Sequence, residues 1–240
     1  MATSLNQLSI STLADECHQA IKRAILNLDL QPGAPIDEGQ LAEQLGISKT
    51  PVREAIARLT GEGFVVPGPG RRSSIAPLSV MATREIFEVR ILLESSVARF
   101  VAPRLTDEDL AQLEQALETT DEALRTDNLY EFVMSAHEFH SRLVDCAANS
   151  HLSKIAAKLF DHTKMITSAI YRSEQEAAQH QLSQSGIENH RAILAALKQR
   201  DGELAASLLT RDIQTYLDAI NTDEIQRAFE RLSYRPGGAS

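Results

Sequence analysis

The sequence predicts a mainly α-helical protein in which a small helical unit with a β-hairpin precedes an all-helical bundle of about six helices. Two observations in residues 37–76 predict the first unit: a pair of short helices joined by a tight turn, and a hairpin whose turn is rich in glycine and proline. A third observation predicts the bundle, because apolar residues recur at helical spacing from about Thr83 onward, without strand-like alternation.

The first predicted helix has an apolar stripe and ends at the turn Gln31-Pro32-Gly33. The members of the stripe recur at helical intervals: Leu13, Cys17, Ala20, Ile21, Ala24, Ile25 and Leu28. This stripe predicts that the helix completes a three-helix core with the two short helices that follow.

The two short helices are separated by only a few residues. Asp37 is suited to cap the first helix, and Gly46 ends it by supplying the positive φ that a sharp turn needs. Ser48 is suited to cap the second helix, and Pro51 is tolerated there because an amide hydrogen in the first turn has no helical acceptor.

The second short helix divides into an apolar face and a polar amino-terminal turn. Its apolar face consists of Val52, Ala55, Ile56 and Leu59. Lys49, Thr50 and Arg53 project from the opposite side. A helix that reads DNA needs this division, since its amino end offers cations and hydroxyls to phosphates and base edges while its apolar face packs on the domain.

A β-hairpin is predicted after this helix. Phe64–Val66 and Ser74–Ala76 read as short strands around the turn Pro67–Gly70. Arg71 and Arg72 stand at the tip, where they can meet phosphate or enter the minor groove. The pattern favours a winged helix-turn-helix that binds DNA; the alternative is a small structural lobe.

The charge distribution excludes DNA binding by bulk charge. The chain of 240 residues has a net charge of −9; residues 1–80 hold 7 basic and 8 acidic side chains, and the remaining 160 hold 17 and 25. Affinity for DNA must therefore come from a local basic face. We expect this face to consist of Lys49, Arg53, Arg58, Arg71 and Arg72.

Composition indicates an ordinary soluble protein. No apolar run of 18 residues occurs, and the amino terminus lacks a basic segment followed by an apolar core, which favours a cytoplasmic location. Cys17 and Cys146 fall on apolar faces of different predicted helices, so we expect two buried thiols rather than a disulfide.

Three regions are expected. Residues 1–77 form the winged helix-turn-helix, with flexible first residues and a flexible linker at 77–81; residues 82–232 form the bundle; and residues 233–240 form a disordered tail. The bundle helices are predicted to start near Thr83, Thr106, Asn128 and Ser150 and at about residues 175 and 202. The last helix ends near residue 220 or continues toward Leu232.

Three polar residues of the predicted bundle point toward its interior. His140 lies near the centre of the apolar stripe of the third bundle helix, and His190 shares a face with apolar residues of the fifth. Asp212 lies one turn from two leucines of the sixth. Two imidazoles and a carboxylate are compatible with a zinc-, nickel- or manganese-like ion; the alternative is histidines hydrogen-bonded within the core.

The first 77 residues resemble the winged-helix domain of the GntR transcriptional regulators. The resemblance rests on LAEQLGISKTPVREAIARL, the EGFV strand and the PGPGR wing, and covers about residues 10–77. It implies a homodimer on a palindromic DNA operator. The DNA-contacting positions of the family fall on Ser48, Lys49, Arg53, Gly70 and Arg71. One departure is Gly39, where relatives often have arginine.

The second half resembles the FCD domain, the helical ligand-binding domain of the FadR branch of that family, over about residues 80–220. The likeness is found in three segments: EIFEVRILLESSVARFVA, EFHSRLVDCAANSHLSKI and ENHRAILAALKQRDGELAASLLTRDI. The metal-binding positions of the family fall on Ala136, His140, His190 and Asp212. Ala136 cannot coordinate a metal, so we expect His137, on the same helix, to stand in for it.

The same resemblance suggests where an effector binds. Arg90 and Glu94 match family residues that face the pocket, and a buried arginine there suits a carboxylate effector because its fork pairs with two oxygens. The alternative for Arg90 is an ion pair with Glu94 one turn along the helix. Arg172, near the expected mouth of the pocket, is a further candidate.

These patterns together predict a ligand-responsive DNA-binding regulator rather than an enzyme, with repression as the expected mode. The effector is expected to be a small organic acid in the bundle. One alternative is a metal-dependent helical enzyme, but no histidine has the Glu-x-x-His spacing of a di-iron bundle. The other is a protein-interaction scaffold whose winged helix does not bind DNA; it leaves Lys49, Arg53 and Arg71 no reason to share a face.

Overall fold

The computed structural model describes residues 13–68, 72–172 and 176–233. Two predicted DNA contacts, Gly70 and Arg71, lie outside the described residues, as do the first twelve residues and all of the predicted tail except Ser233. The described residues form the predicted architecture: three helices and a hairpin, followed by a helical bundle.

The amino-terminal unit consists of α1 (Leu13–Leu26), α2 (Glu38–Leu45), α3 (Lys49–Glu62), β1 (Val65–Pro67) and β2 (Ser73–Ile75). α1 is shorter than predicted: it ends at Leu26, because Leu28 adopts a left-handed φ of 59° that a continuing helix does not allow. Leu13, expected in the apolar stripe, is half exposed.

The predicted caps position the two short helices. The Asp37 carboxylate accepts hydrogen bonds from the backbone amides of Gly39 (2.8 Å) and Gln40 (3.1 Å) at the start of α2. Gly46 ends α2 with a φ of 66°, the conformation in which glycine costs least. Ser48 occupies the cap position of α3, but its side chain makes no capping hydrogen bond.

The wing is an antiparallel hairpin, in which Val65 pairs with Ile75 and Pro67 with Ser73. Each strand differs from its predicted range by one residue. Ser74 also forms an isolated bridge with Pro35, which ties the hairpin to the segment that precedes α2.

The bundle contains seven α-helices among the described residues, one more than predicted. They are α4 (Val80–Val101), α5 (Asp107–Arg125), α6 (Leu129–Asp145), α7 (Ser150–Tyr171), α8 (Glu176–Lys198), α9 (Gly202–Ile220) and α10 (Asp223–Leu232). The additional helix, α10, is separate because Thr222 caps it immediately after α9 has ended at Ile220. A short 3₁₀ helix, Ala102–Arg104, follows α4 where Pro103 cannot continue it.

Helix packing places α4 against α9, α5 against α6 and α8, and α6 against α7. The main core of the bundle includes the fully buried Phe139 and Leu143 of α6. Cys17 is buried, whereas Cys146 is only partly buried, and both are free thiols.

The amino-terminal unit docks on α7 of the bundle. Met165 of α7 is buried in the core of that unit. The ammonium of Lys22 on α1 lies 2.8 Å from the carboxylate of Asp161 on α7 and 2.9 Å from that of Glu62 on α3. The His162 ring stacks on Phe64, with 6.2 Å between ring centroids. Nothing in the local sequence patterns predicted this docking.

Candidate functional sites

The amino-terminal turn of α3 is exposed, as the sequence predicts for a recognition helix. Ser48, Lys49, Thr50 and Arg53 all lie at the surface. The apolar face of the same helix is buried through Val52, Ala55, Ile56 and Leu59. Burial of one face fixes the orientation of α3, so the polar turn is held outward by the core of the unit.

Two cations of this turn make local contacts. Arg53 Nε lies 2.6 Å from Glu38 Oε2 in a pair whose side chains are both exposed. Such a pair contributes little, and a phosphate or a guanine can displace it. A side chain at Gly39 would begin 3.2 Å from Lys49 Nζ, so the glycine leaves the space in which the Lys49 ammonium lies.

The wing lies beside this turn, because the backbone amide of Ile36, next to Asp37, donates a hydrogen bond of 2.8 Å to the carbonyl oxygen of Ser73, next to Arg72. Hydrogen bonds from the amides of Gln40 and Gly39 lower the pKa of Asp37, and the charges of Lys49 and Arg72 add to the effect. Lys49 and Arg72 are therefore near the same carboxylate, and Arg72 is exposed. Arg58, also predicted to face DNA, instead pairs with Asp15 of α1.

Inside the bundle, three side chains from three helices converge. Nε2 of His140 (α6) lies 3.0 Å from Nε2 of His190 (α8). Oδ2 of Asp212 (α9) lies 3.6 Å from the former nitrogen and 3.5 Å from the latter. All three residues are buried. The sequence prediction that these residues meet is confirmed.

The spacing of these atoms fits a metal ion. An ion with bonds of about 2.1 Å in tetrahedral or octahedral geometry holds neighbouring ligand atoms about 3.0 to 3.4 Å apart. The observed separations of 3.0, 3.5 and 3.6 Å are close to this range. Two imidazoles and one carboxylate are donors that zinc, nickel and manganese accept.

A carboxylate and a guanidinium support this cluster. Glu94 Oε2 lies 2.5 Å from His140 Nδ1, and Glu94 Oε1 accepts a hydrogen bond of 2.7 Å from Arg90 Nε. Because a carboxylate only accepts, Nδ1 of His140 carries the hydrogen and Nε2 presents its lone pair to the cluster. Arg90 thus forms the ion pair with Glu94 that the sequence offered as the alternative to binding an effector.

The pKa of each carboxyl group of the site is lowered, which favours the ionised form. Burial raises the pKa of Glu94, but the charge of Arg90 and the hydrogen bonds from His140 and Arg90 outweigh it, and the pKa lies below its usual value. Burial of Asp212 is likewise outweighed by interactions with His190 and His140. Burial lowers the pKa of His140 despite the opposing charge of Glu94. The site thus has two carboxylates, Glu94 and Asp212, and one guanidinium, Arg90. The resulting excess of negative charge favours binding of a cation.

His137, the expected substitute for the missing ligand at Ala136, lies beside the cluster of three ligand atoms. It is as deeply buried as His140, at 5% and 4% exposure. Its Nδ1 bonds to the backbone oxygen of Val133 (2.9 Å), and it is not among the converging ligand atoms. The role of His137 as a ligand stays a prediction, because the bond from Nδ1 to the backbone leaves Nε2 without a partner.

A cavity of about 20 Å³ adjoins the cluster. Its lining consists of Arg90, Ala136, His137, His140, Thr167, His190, Asp212 and Tyr216. Thr167 and Tyr216 were not predicted, because nothing in their local sequence distinguishes them from other polar core residues. Arg172 is exposed at the end of α7 and is not part of this lining.

Comparison with known families accounts for both halves of the chain. Residues 13–75 match the family described as bacterial regulatory proteins, gntR family, and residues 85–215 match the FCD domain. The chain belongs to the GntR family.

Relatives of this GntR protein cover most of its length. The Nta operon transcriptional regulator of Aminobacter aminovorans is 30% identical over 190 residues, which cover 79% of this chain and 86% of that regulator. The uncharacterized regulator YdhC of Bacillus subtilis is 29% identical over 190 residues, which cover 78% of this chain and 82% of YdhC. The solved structure of E. coli McbR/YncC has a TM-score of 0.74 at 25% identity, covering 88% and 98% of the two chains.

The family assignment makes this GntR protein a transcriptional regulator with an FCD domain, and its relatives are regulators rather than enzymes. Within the described parts of the chain, no helix combines the length and the apolar composition that crossing a bilayer requires. The four metal-binding positions carried over from the family are occupied here by one alanine, two histidines and one aspartate.

Proposed function

We propose that this GntR protein is a DNA-binding repressor that recognises an inverted-repeat operator as a homodimer and is gated by a small organic acid. The acid binds in the bundle beside a divalent cation. The observation that carries the gating is the position of α7, which borders the buried cavity and also supports the DNA-binding unit.

The DNA-reading surface consists of the exposed turn of α3 and the wing. Lys49, Thr50 and Arg53 face outward from α3, and Arg72, at the turn end of the wing, acts on the same Asp37 carboxylate as Lys49. Arginine reads guanine through two parallel hydrogen bonds, and lysine binds phosphate. Ser48, Gly70 and Arg71 belong to the same proposed surface by family resemblance. Arg58 is a weaker candidate, because Asp15 already pairs with it.

The proposed metal site consists of His140, His190 and Asp212, with Glu94 orienting His140 from behind. A divalent ion of the zinc, nickel or manganese type supplies positive charge that attracts a carboxylate. Arg90 is the residue lining the cavity that carries a permanent positive charge, so it provides a second attraction for an anion. Glu94 then holds His140 and Arg90 in place through its hydrogen bonds to both side chains.

Gating follows from the size of the cavity and the course of α7. A space of about 20 Å³ holds about one water molecule, so an organic acid can enter only if the lining moves. Thr167 of α7 lines the cavity, while Asp161 and Met165 of the same helix contact the DNA-binding unit. Asp161 and Thr167 are separated by about 9 Å of helix. A shift of α7 therefore changes the position of that unit.

The proposed dimer forms between two copies of α4. Val89, Leu92 and Phe100 on one face of α4 are 43%, 71% and 51% exposed. They border a groove of about 540 Å³ that also contains Leu152 of α7, and none of its described lining residues is charged. A two-fold axis pairs the same face of each copy, so one apolar strip covers the other. We expect Leu92→Glu to produce monomers in analytical ultracentrifugation, with Ala111→Glu on α5 as the matched control.

The test of the whole proposal is a titration of labelled genomic fragments by fluorescence anisotropy at a fixed salt concentration. Full-length protein is expected to bind a fragment with an inverted repeat far more tightly than random DNA. Zinc, nickel or manganese with a panel of organic acids is expected to weaken that binding. Equal affinity for random and genomic fragments would exclude a specific regulator, and operator binding insensitive to every metal and acid would exclude the gating.

A further inference from the structure

Two histidines that line the cavity each have a buried ring nitrogen without a hydrogen-bond partner among the described residues: Nδ1 of His190, whose Nε2 belongs to the metal-ligand cluster, and Nε2 of His137, which lies outside that cluster. His137 is 5% exposed, and its Nε2 is fully buried without a hydrogen-bond partner among the described residues. Its other nitrogen, Nδ1, bonds to the Val133 backbone oxygen one turn earlier in α6. A buried polar atom without a partner costs free energy, so its retention beside a cavity points to a ligand.

The hydrogen bond to Val133 fixes the tautomer of the ring. A backbone carbonyl can only accept, so the hydrogen of the neutral imidazole resides on Nδ1. Nε2 then has a lone pair and no hydrogen. Burial and the neighbouring charges of Arg90 and Lys164 disfavour protonation of the ring by lowering its pKa. His137 therefore presents a hydrogen-bond acceptor to the cavity.

Nε2 of His137 needs a hydrogen-bond donor, whereas the other groups of the site favour an anion. The guanidinium of Arg90 attracts an anion, and a cation held by His140, His190 and Asp212 would attract it as well. A simple carboxylate has no hydrogen to donate and leaves Nε2 of His137 unsatisfied. An ammonium group could donate, but like charge on Arg90 and on the metal opposes it. A hydroxyl donates without adding charge.

We propose that Nε2 of His137 accepts a hydrogen bond from a hydroxyl group of the effector, so that the site selects short hydroxycarboxylates over the corresponding carboxylates. This inference rests on the proposed organic-acid gating and specifies the chemical class of the acid. His137 acts as a specificity-determining residue and not as a metal ligand. Ala136, one residue earlier on α6, also lines the cavity and provides space where a larger side chain would fill it.

The test is calorimetric binding of acid pairs that differ by one hydroxyl to full-length, zinc-loaded protein. The pairs are malate and succinate, lactate and propionate, and 2-hydroxyglutarate and glutarate. We expect the hydroxy acid of at least one pair to bind about tenfold more tightly than its partner. His137→Leu removes this preference, whereas His137→Gln retains it, because the amide oxygen of glutamine is an acceptor.

Two further measurements keep the result clear if His137→Leu folds poorly. The nitrogen-15 spectrum of His137 in wild-type protein is expected to show the hydrogen on Nδ1, and a hydrogen on Nε2 would overturn the inference. Zinc titration of His137→Gln is expected to give wild-type affinity, and lost zinc binding would instead make His137 a ligand.

Failure of this inference is distinguishable from failure of the gating proposal. If both acids of every pair bind equally and weaken operator binding, the hydroxyl selection is wrong and the gating remains. If no acid binds or alters operator affinity, both are wrong.

Discussion

Arg53 makes a structural contact that its proposed role in DNA recognition would replace. In the free protein it pairs with Glu38 on α2 at 2.6 Å, with 65% of its side chain exposed. An exposed pair of this kind is weak. It holds the guanidinium near the surface of the turn, and the guanidinium can exchange Glu38 for another partner. The pair also neutralises a carboxylate that would otherwise repel phosphate.

The prediction is that Arg53→Ala weakens operator binding by about 1 to 3 kcal/mol, because a bidentate contact to a base is lost. Fluorescence anisotropy with the operator at fixed salt measures the change. Arg125→Ala is the control, since Arg125 is an exposed arginine on α5 that pairs with Glu122 of its own helix. Unchanged affinity in Arg53→Ala would remove Arg53 from the set of DNA-reading residues.

Two buried histidines make stability depend on pH. The pKa of His137 lies well below its usual value, mainly because of burial, and that of His140 is also lowered by burial. The unfolded chain binds protons at about pH 6.5, where the native state still holds both rings neutral. Their contribution is therefore complete above about pH 6.5 and is lost as the pH falls toward the lowered values.

We expect the free energy of unfolding of metal-free protein to decrease between pH 7.5 and pH 5 in urea titrations. In His137→Gln the decrease is smaller, because one of the two groups that take up protons on unfolding has been removed. Parallel curves for wild type and variant would contradict the assignment of a lowered pKa to His137.

At the scale of helices and strands, caps set the limits of elements and glycines set the turns. Thr106 and Asp109 form a reciprocal capping box at the start of α5, and Asn128 and Asn149 cap α6 and α7. These starts were predictable because capping depends on residues within four positions of one another. Gly46 was predictable as the end of α2 for the same reason.

Two glycines give a matched test of this local reasoning. A Cβ at either Gly46 or Gly61 would meet no atom within 4 Å, so sterics with neighbours do not differ. Gly46 has a φ of 66°, whereas Gly61 lies within α3. We expect Gly46→Ala to destabilise the protein by about 1 kcal/mol and Gly61→Ala to stabilise it by about 0.5 to 1 kcal/mol in denaturant titrations. Equal effects would show that the left-handed turn is not what requires Gly46.

Two kinds of feature were not predicted: contacts between elements that are distant in sequence, and the position of a helix break within a continuous apolar pattern. The apolar periodicity of α9 runs on toward Leu232, so the two-residue break before α10 was not distinguished from a longer helix. The position of His140, His190 and Asp212 on inward faces was readable, because it follows from helical spacing. The burial of His137 and the roles of Thr167 and Tyr216 depend on which helices pack together, which no local pattern specifies.

At the scale of the whole molecule, an acidic bundle contacts the amino-terminal unit through a small cluster of charges. Lys22 of α1 is shared between Glu62 of α3 and Asp161 of α7. His18 adds a contact of 2.7 Å from its Nε2 to Glu62. Gly63 is needed at this junction, because a Cβ there would overlap the ring of His162.

The last prediction is that Lys22→Met uncouples the two halves. Operator affinity without effector is expected to stay near that of wild type, because Lys22 lies outside the proposed DNA surface. The change in affinity on adding metal and acid is expected to shrink, because α7 no longer transmits its shift through Asp161. Lys158→Met, an exposed lysine of α7, is the control. The double variant Lys22→Glu with Asp161→Lys restores opposite charges and is expected to recover part of the response; an undiminished response in Lys22→Met would show that coupling takes another route.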